Sequence, residues 1–162
     1  MKREAGMPSG SAGGSSGWVA WVCRILGLCV FVAAFFLPAI RSGAAGPDAV
    51  IFPGWKCASV ALSMTTALFG KTVSGGPSTA VLLVAMSGWI NPLIVLFLLF
   101  CVAARLRMAR AIVAVVILLC MGATWSFFAL QKVTPLTGHY LWIAGALVIL
   151  LPEVIMWRNK HT

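Results

Sequence analysis

The sequence predicts an all-α integral membrane protein with four transmembrane helices and a short interfacial helix. Of its 162 residues, 61% are hydrophobic and only 9% are charged, whereas a soluble domain has about 45–50% apolar and about 25% charged residues. A chain of this length has too small an interior to bury so many apolar side chains. It also contains four largely uncharged runs near the roughly 20 residues that a helix needs to cross a bilayer. Most of its surface is therefore expected to face lipid.

The predicted transmembrane domain covers residues 18–158, between a Gly/Ser-rich disordered tail at 1–17 and a short tail at 159–162. Its first span is predicted at residues 18–40. A cleavable signal peptide is the alternative here, because "SGA", which starts at Ser42, resembles a cleavage site. Signal peptides have apolar cores of only about 7–15 residues, however, and Arg41 intrudes just before this site. A retained span is the favoured interpretation.

The remaining spans are predicted at residues 80–104, 111–130 and 140–157. Pro92 interrupts the second of them, since proline lacks a backbone donor and disfavours helical geometry at the preceding residue, Asn91. We expect a kink there, with Asn91 capping a fresh helix that starts at Pro92. A broken helix can expose backbone groups to a substrate or ion, although a neighbouring helix more often satisfies them.

The segment between the first two spans is predicted to lie at the membrane surface. Glycines and prolines in residues 41–56 are typical of turns. Residues 57–70 can form a helix, but at about 1.5 Å per residue its length of about 21 Å is too short to cross. An interfacial helix is favoured, and a re-entrant segment stays open. Trp55 is expected at the headgroup level, where amphipathic rings concentrate.

Lysine and arginine predict how the chain is oriented. The net charge is +9, from twelve basic and three acidic residues. The basic residues do not form a face interleaved with aromatics, so nucleic-acid binding is not expected, and the positive-inside rule with attraction to anionic lipid accounts for the charge. A cytoplasmic N-terminus places eight basic residues inside and four outside, which predicts that both termini are cytoplasmic. The inside set is Lys2, Arg3, Arg24, Arg105, Arg107, Arg110, Arg158 and Lys160, and the outside set is Arg41, Lys56, Lys71 and Lys132.

Few side chains could carry chemistry. Cys57 is the one cysteine placed outside the spans, and the chain has no C-x-x-C pair. Lys56 occupies the place of the small residue in a bacterial lipobox, so lipid attachment is disfavoured. Lys56 could lower the pKa of the Cys57 thiol, but a small apolar residue at a helix start is the favoured interpretation. The two histidines and three acids show no metal-ligand or paired-carboxylate spacing, so no metal, cofactor or catalytic site is predicted.

Four other residues are candidates for structural or interaction roles. His139 and Trp142 lie near the outer end of the fourth span and are predicted to form an interface anchor, with protonation of His139 as the alternative. Arg24 and Glu153 lie at similar depths, about 9 Å and 7.5 Å from the same side. Charges inside a membrane are costly, so we expect these two to pair and hold the first and fourth spans together. Separate snorkelling to the interface is the equally weighted alternative.

Four short segments carry a resemblance to known proteins: "FFLPA" from Phe35, "PGWKCA" from Pro53, "WINPL" from Trp89 and "GHYLWIAG" from Gly138. Together they resemble a loose group of small, uncharacterised bacterial inner-membrane proteins with four spans. The likeness covers most of residues 20–157. It implies a four-span architecture and a bacterial inner membrane, and it carries no activity.

The sequence favours a non-enzymatic accessory, assembly or interaction protein that contacts a larger membrane partner or itself. Polar groups in the spans are too few for catalysis or conduction, while Gly122 and Ser126, with Thr124 beside them, permit close helix contact. The alternative is a small transport or channel component in which Asn91, His139 and Glu153 line a path. A membrane enzyme centred on Cys57 ranks last.

Overall fold

The computed structural model describes residues 14–42, 50–69, 78–103 and 106–158. Four helical stretches within these ranges, of 18 to 25 residues, are long and apolar enough to cross a membrane, which indicates a multi-pass membrane protein. The tail predicted at 159–162 lies outside the described residues, and the first helix begins inside the tail predicted at 1–17. The helices are α1 (Gly14–Ala34), α2 (Gly54–Phe69), α3 (Thr79–Gly88), α4 (Ile90–Val102), α5 (Arg107–Gln131) and α6 (Thr137–Arg158), and the strands are β1 (Pro38–Ser42), β2 (Val50–Pro53) and β3 (Thr134–Pro135).

A short antiparallel sheet corrects the all-α prediction, although the chain is mostly helical. β1 is the central strand, with β2 and β3 on either side. Ile40 pairs with Phe52 in β2 and with Pro135 in β3. The glycines and prolines of this region predicted turns alone, but isoleucine and phenylalanine favour strands, and proline is tolerated at strand ends and on edge strands. Residues 43–49 of the predicted loop lie outside the described residues.

The first helix ends at Ala34, earlier than the predicted limit of the first span at residue 40. Pro38 is the physical reason, because it disfavours helical geometry at Leu37. The chain leaves the helix through a tight turn in which Phe35 N and Leu37 N donate to carbonyls three residues earlier. β1 then starts at Pro38 itself.

The kink in the second span lies two residues before the predicted position. α3 ends at Gly88, and α4 begins at Ile90 after Trp89, whose φ of −71° and ψ of −19° are close to helical. Asn91 therefore does not cap the second segment, which corrects the prediction. Pro92 instead falls in the first turn of α4, where helical N–H groups have no intrahelical partner and its missing donor is tolerated.

The short helix α2 begins at Gly54, three residues before the predicted start at Cys57, and packs against α3 of the same chain. A Cβ added to Gly88 would lie 2.8 Å from Ala61 O, so the two backbones touch. Thr65 Oγ1 donates to Ala85 O at 3.1 Å across the same contact. α2 is thus a component of this bundle and is not among the helices long enough to span.

α1 and α6 run against each other at a glycine crossing in the middle of the bundle. A Cβ on Gly27 would lie 2.8 Å from Gly145 O, and one on Gly145 would lie 2.6 Å from Phe31 N. We call the end of the bundle where α1 begins and α6 ends the terminal end, and the end that carries β1 to β3 the sheet end. Between these ends lies an apolar core whose most buried members include Ile90, Ile94, Phe97, Ile117 and Ile149.

Candidate functional sites at the two ends of the bundle

An ion pair joins α1 to α6 near the terminal end. Arg24 Nη2 donates to Glu153 Oε1 at 2.9 Å, and the two side chains are only 5% and 11% exposed. The guanidinium also lies over the ring of Trp21, 5.6 Å from its centroid. The predicted pairing of Arg24 with Glu153 is confirmed, and separate snorkelling of the two side chains is not what the structure shows.

Arg110 is a third member of this cluster, and the sequence analysis missed it. Its Nε lies 3.5 Å from Glu153 Oε1, and its side chain is 12% exposed. The third span is predicted to begin at residue 111 and so leaves Arg110 outside it, but Arg110 stands in the first turn of α5. Val113 and Ile117 follow at helical spacing and are buried, a pattern that could have placed Arg110 on the inward face.

The terminal-end cluster holds two guanidinium groups against one carboxylate, so it carries one excess positive charge. Among the described residues, neither Arg24 Nε nor Arg110 Nε has a hydrogen-bond partner. A charge taken out of water is tolerated only when it is paired and hydrogen-bonded. Glu153 therefore holds three helices together at one point: α1, α5 and α6.

At the sheet end, the helices and strands line a half-open apolar cavity of about 240 Å³. Its walls come from α1, β1, β2, α2, α3, α4, α5 and α6, and close approaches at glycines draw these walls together. A Cβ on Gly54 would lie 2.6 Å from Ala34 O, which sets the start of α2 against the end of α1. A Cβ on Gly138 would lie 2.8 Å from Pro38 O, which sets the start of α6 against β1.

His139 is buried in the wall of this cavity, with only 6% of its surface exposed. Its ring makes a T-shaped contact with Phe128 at a centroid distance of 4.5 Å, and the ring of Trp142 lies 5.5 Å away. This corrects the prediction of an interface anchor, because the imidazole faces the interior while its neighbour Tyr140 is exposed. Gly138 permits this placement, since a side chain there would collide with Pro38 O and hold the first turn of α6 away from β1.

Asn91 and Trp142 hold the broken second span against the fourth. Trp142 Nε1 donates to Asn91 Oδ1 at 3.2 Å. The indole also stacks on Phe31 at a centroid distance of 5.9 Å. The polar side chain at the kink is thus satisfied by a neighbouring helix, as is usual for breaks at membrane depth.

Cys57 lies at the edge of the same cavity and has the properties of a structural cysteine. Its Sγ is 4.0 Å from Phe52 O, and burial raises the pKa of the thiol from its ordinary value of 9.0 to about 11, against a smaller lowering by a backbone hydrogen bond. The adjacent Lys56 does not activate it, because its Nζ lies over the ring of Phe52 at 5.5 Å. Trp55 is 57% exposed beside them. A nucleophile needs a lowered pKa, so this environment opposes one.

The three residues named for a transport path do not lie together. Asn91 and His139 line the sheet-end cavity, whereas Glu153 belongs to the terminal-end cluster. Ile94 and Ile149 lie between the two sites along α4 and α6, and each is at most 1% exposed. Within the described residues, a buried apolar layer of the core therefore separates the two polar sites.

No known protein family, curated protein or solved structure matches this chain. The geometry of the two sites and of the helix surfaces is therefore the basis on which a function is assigned.

Proposed function

We propose that this chain is a non-enzymatic protein of the bacterial inner membrane that acts through helix contacts with a larger membrane protein or a second copy of itself. The observation that carries the proposal is the position of Gly122 and Ser126 on α5. Both residues are exposed on the outer surface of the bundle. A Cβ added to Gly122 would meet nothing within 4 Å. The small-x-x-x-small pair is thus unused in the packing of the chain itself.

Gly17, at the start of the first span, shares this property with Gly122, but the glycines deeper in the spans do not. Gly27, Gly88 and Gly145 each lie where a Cβ would collide with the backbone of a neighbouring helix. Glycine in a helix interior is about 1 kcal/mol less favourable than alanine, and these contacts account for its use at those three positions. At Gly122 a helix of another chain supplies the equivalent contact, since small residues let membrane helices approach closely.

Ser126 supports the same surface. Its Oγ donates to Gly122 O at 3.0 Å, so the hydroxyl is satisfied within α5 and presents little polar surface to lipid. The pair therefore forms a patch of small side chains whose hydroxyl is already hydrogen-bonded, and a second helix can cover it. This is the type of surface on which membrane helices associate through van der Waals packing.

The test is copurification from mild detergent of the intact chain and of two matched variants. Gly122→Leu places a large side chain on the proposed contact, whereas Val95→Leu makes a conservative change at a position of α4 that is 58% exposed. We expect a stoichiometric partner or homo-oligomer with the parent chain and with Val95→Leu, and its loss with Gly122→Leu. A solitary monomer for the parent chain in native membrane extracts would refute the proposal.

The proposed orientation has both termini in the cytoplasm. The eight-to-four distribution of basic residues supports it, and Arg107 and Arg110 start α5 at the terminal end. Alkaline phosphatase fused after residue 162 should be inactive, because the enzyme requires export. A fusion in the 43–49 segment should be active, and the reverse pattern would overturn the orientation.

A further inference from the structure

We propose that the sheet-end cavity binds a small lipophilic ring molecule whose hydroxyl or carbonyl oxygen hydrogen-bonds to His139 Nε2. This goes beyond the proposed function and is independent of it. Thr124 and Phe128 line the cavity from the face of α5 opposite to Gly122, since residues two and six positions on from Gly122 point away from it at about 100° per residue.

A buried polar atom of His139 lacks a hydrogen-bond partner. His139 Nε2 is buried and has no hydrogen-bond partner among the described residues. Leaving a buried donor or acceptor without a partner is costly, and such atoms are rare in native proteins. The residue lines the cavity, but Nε2 itself has almost no accessible surface, so a bound molecule supplies the missing partner once the imidazole rotates toward it.

Water alone is a poor occupant of this cavity. A buried water needs about two to four polar partners. Three other polar side chains of this cavity already direct their donors into the chain. Trp142 Nε1 donates to Asn91 Oδ1, Thr124 Oγ1 donates to Cys120 O at 3.0 Å, and Ser87 Oγ donates to Val84 O at 2.7 Å. A molecule with one oxygen and a large apolar body matches this lining better than a cluster of water.

The size and the aromatic walls of the cavity fit a ring-shaped ligand. The volume of about 240 Å³ exceeds the roughly 150 Å³ of an apolar cavity that stays dry and binds benzene. The walls near His139 are aromatic, with Phe128, Phe127 and Trp142 among the lining residues. Aromatic rings pack edge-to-face or offset against such walls. A single or fused aromatic ring is therefore the favoured ligand body.

The cavity is reached from the surface along α2. Val60 lines the cavity and is also 43% exposed. α2 lies outside the candidate spans and packs on α3 through small residues. A lipophilic molecule dissolved in the membrane can thus enter without crossing the apolar core.

The test uses the intact protein in lipid nanodiscs with three probes: 1-naphthol, 1,4-naphthoquinone and naphthalene. Equilibrium dialysis against empty nanodiscs removes the contribution of partition into lipid. We expect saturable binding, with at least one oxygen-bearing probe bound about tenfold more tightly than naphthalene, because it satisfies the buried nitrogen. Comparing the affinities for 1-naphthol and 1,4-naphthoquinone distinguishes a ligand with a hydroxyl group from one with a carbonyl group.

Two variants locate the site. His139→Phe should retain naphthalene binding and lose the tenfold preference, and Ala58→Phe, which fills the cavity from α2, should bind none of the probes. Equal affinity for all three probes, an unchanged preference in His139→Phe, or no saturable binding would each overturn the proposal.

A measurement on the unmodified chain covers the case in which His139→Phe does not fold. In protein labelled with ¹⁵N-histidine, the Nε2 resonance of His139 should shift on addition of the oxygen-bearing probe that binds and stay unchanged with naphthalene. An Nε2 resonance that stays unchanged with all three probes would show that none of them contacts this nitrogen, and would refute the site.

Discussion

Arg24 and Glu153 are 129 residues apart in the chain, and their side chains meet at 2.9 Å inside the bundle. The contact ties the first membrane helix to the last. Arg110 approaches the same carboxylate oxygen at 3.5 Å, so Glu153 is the shared partner of two cations. Removing Glu153 should therefore lower the free energy of unfolding more than removing either arginine.

This pair predicts non-additive mutational losses. Removing one member of a buried ion pair leaves an uncompensated charge and costs about 3–5 kcal/mol. We expect Arg24→Ala and Glu153→Ala each to reduce the free energy of unfolding by this order, with Glu153→Ala the worse. The double variant should lose clearly less than the sum of the two. Denaturant titration in bicelles, or folded yield in detergent, measures the cycle, and strictly additive losses would contradict the coupling.

Arg110 offers a second prediction with a control in the same helical turn. Arg110→Ala should destabilise the protein less than Arg24→Ala, because its distance to Glu153 is longer and Arg24 continues to neutralise the carboxylate. Arg107 is exposed three residues earlier in the same turn, so Arg107→Ala should change the free energy of unfolding by under about 0.5 kcal/mol. Equal effects of the two substitutions, measured by the same titration, would count against the buried role of Arg110.

Gly145 and Gly122 form a matched pair for the packing argument. A Cβ at Gly145 would lie 2.6 Å from Phe31 N, whereas one at Gly122 meets nothing within 4 Å. Gly145→Ala should therefore destabilise by about 1–3 kcal/mol through overpacking. Gly122→Ala in the detergent-isolated monomer should be neutral or stabilising by up to about 1 kcal/mol. Thermal unfolding of both variants measures these changes. A Gly145→Ala variant as stable as the parent chain would argue against the close α1–α6 crossing.

Cys57 should react slowly with thiol reagents at neutral pH. Its pKa is raised from 9.0 to about 11 by burial, so the protonated, unreactive thiol persists until the pH approaches that value. At pH 8 the thiolate fraction is about a hundredfold below that of an ordinary thiol. Mass spectrometry of iodoacetamide labelling at the Cys57 peptide tests this, with the denatured chain as control. Labelling of the folded protein at the denatured rate would contradict the raised pKa.

The sequence predicted the ion pair and missed the cavity for distinct reasons. Arg24 and Glu153 are costly in lipid wherever they point, so their need for a partner could be inferred from position alone. Arg110 stands beside other basic residues, and its inward direction depends on where α5 begins. His139 follows a glycine whose contact with Pro38 O lies a hundred residues back along the chain, and sequence spacing contains no trace of that contact.

By itself, the sequence determined the four helical stretches that are long and apolar enough to cross a membrane, and the charged pair that needed neutralising. These are local properties: the hydropathy of about 20 consecutive residues, or the cost of one charge at one depth. Only the tertiary structure decided the three-stranded sheet, the packing of α2 on α3, the inward turn of His139 and the exposure of Gly122. The first three depend on distant segments that pack so closely at a glycine that an added Cβ would collide, or that pair across a sheet, and the exposure of Gly122 depends on which face of α5 the rest of the bundle covers.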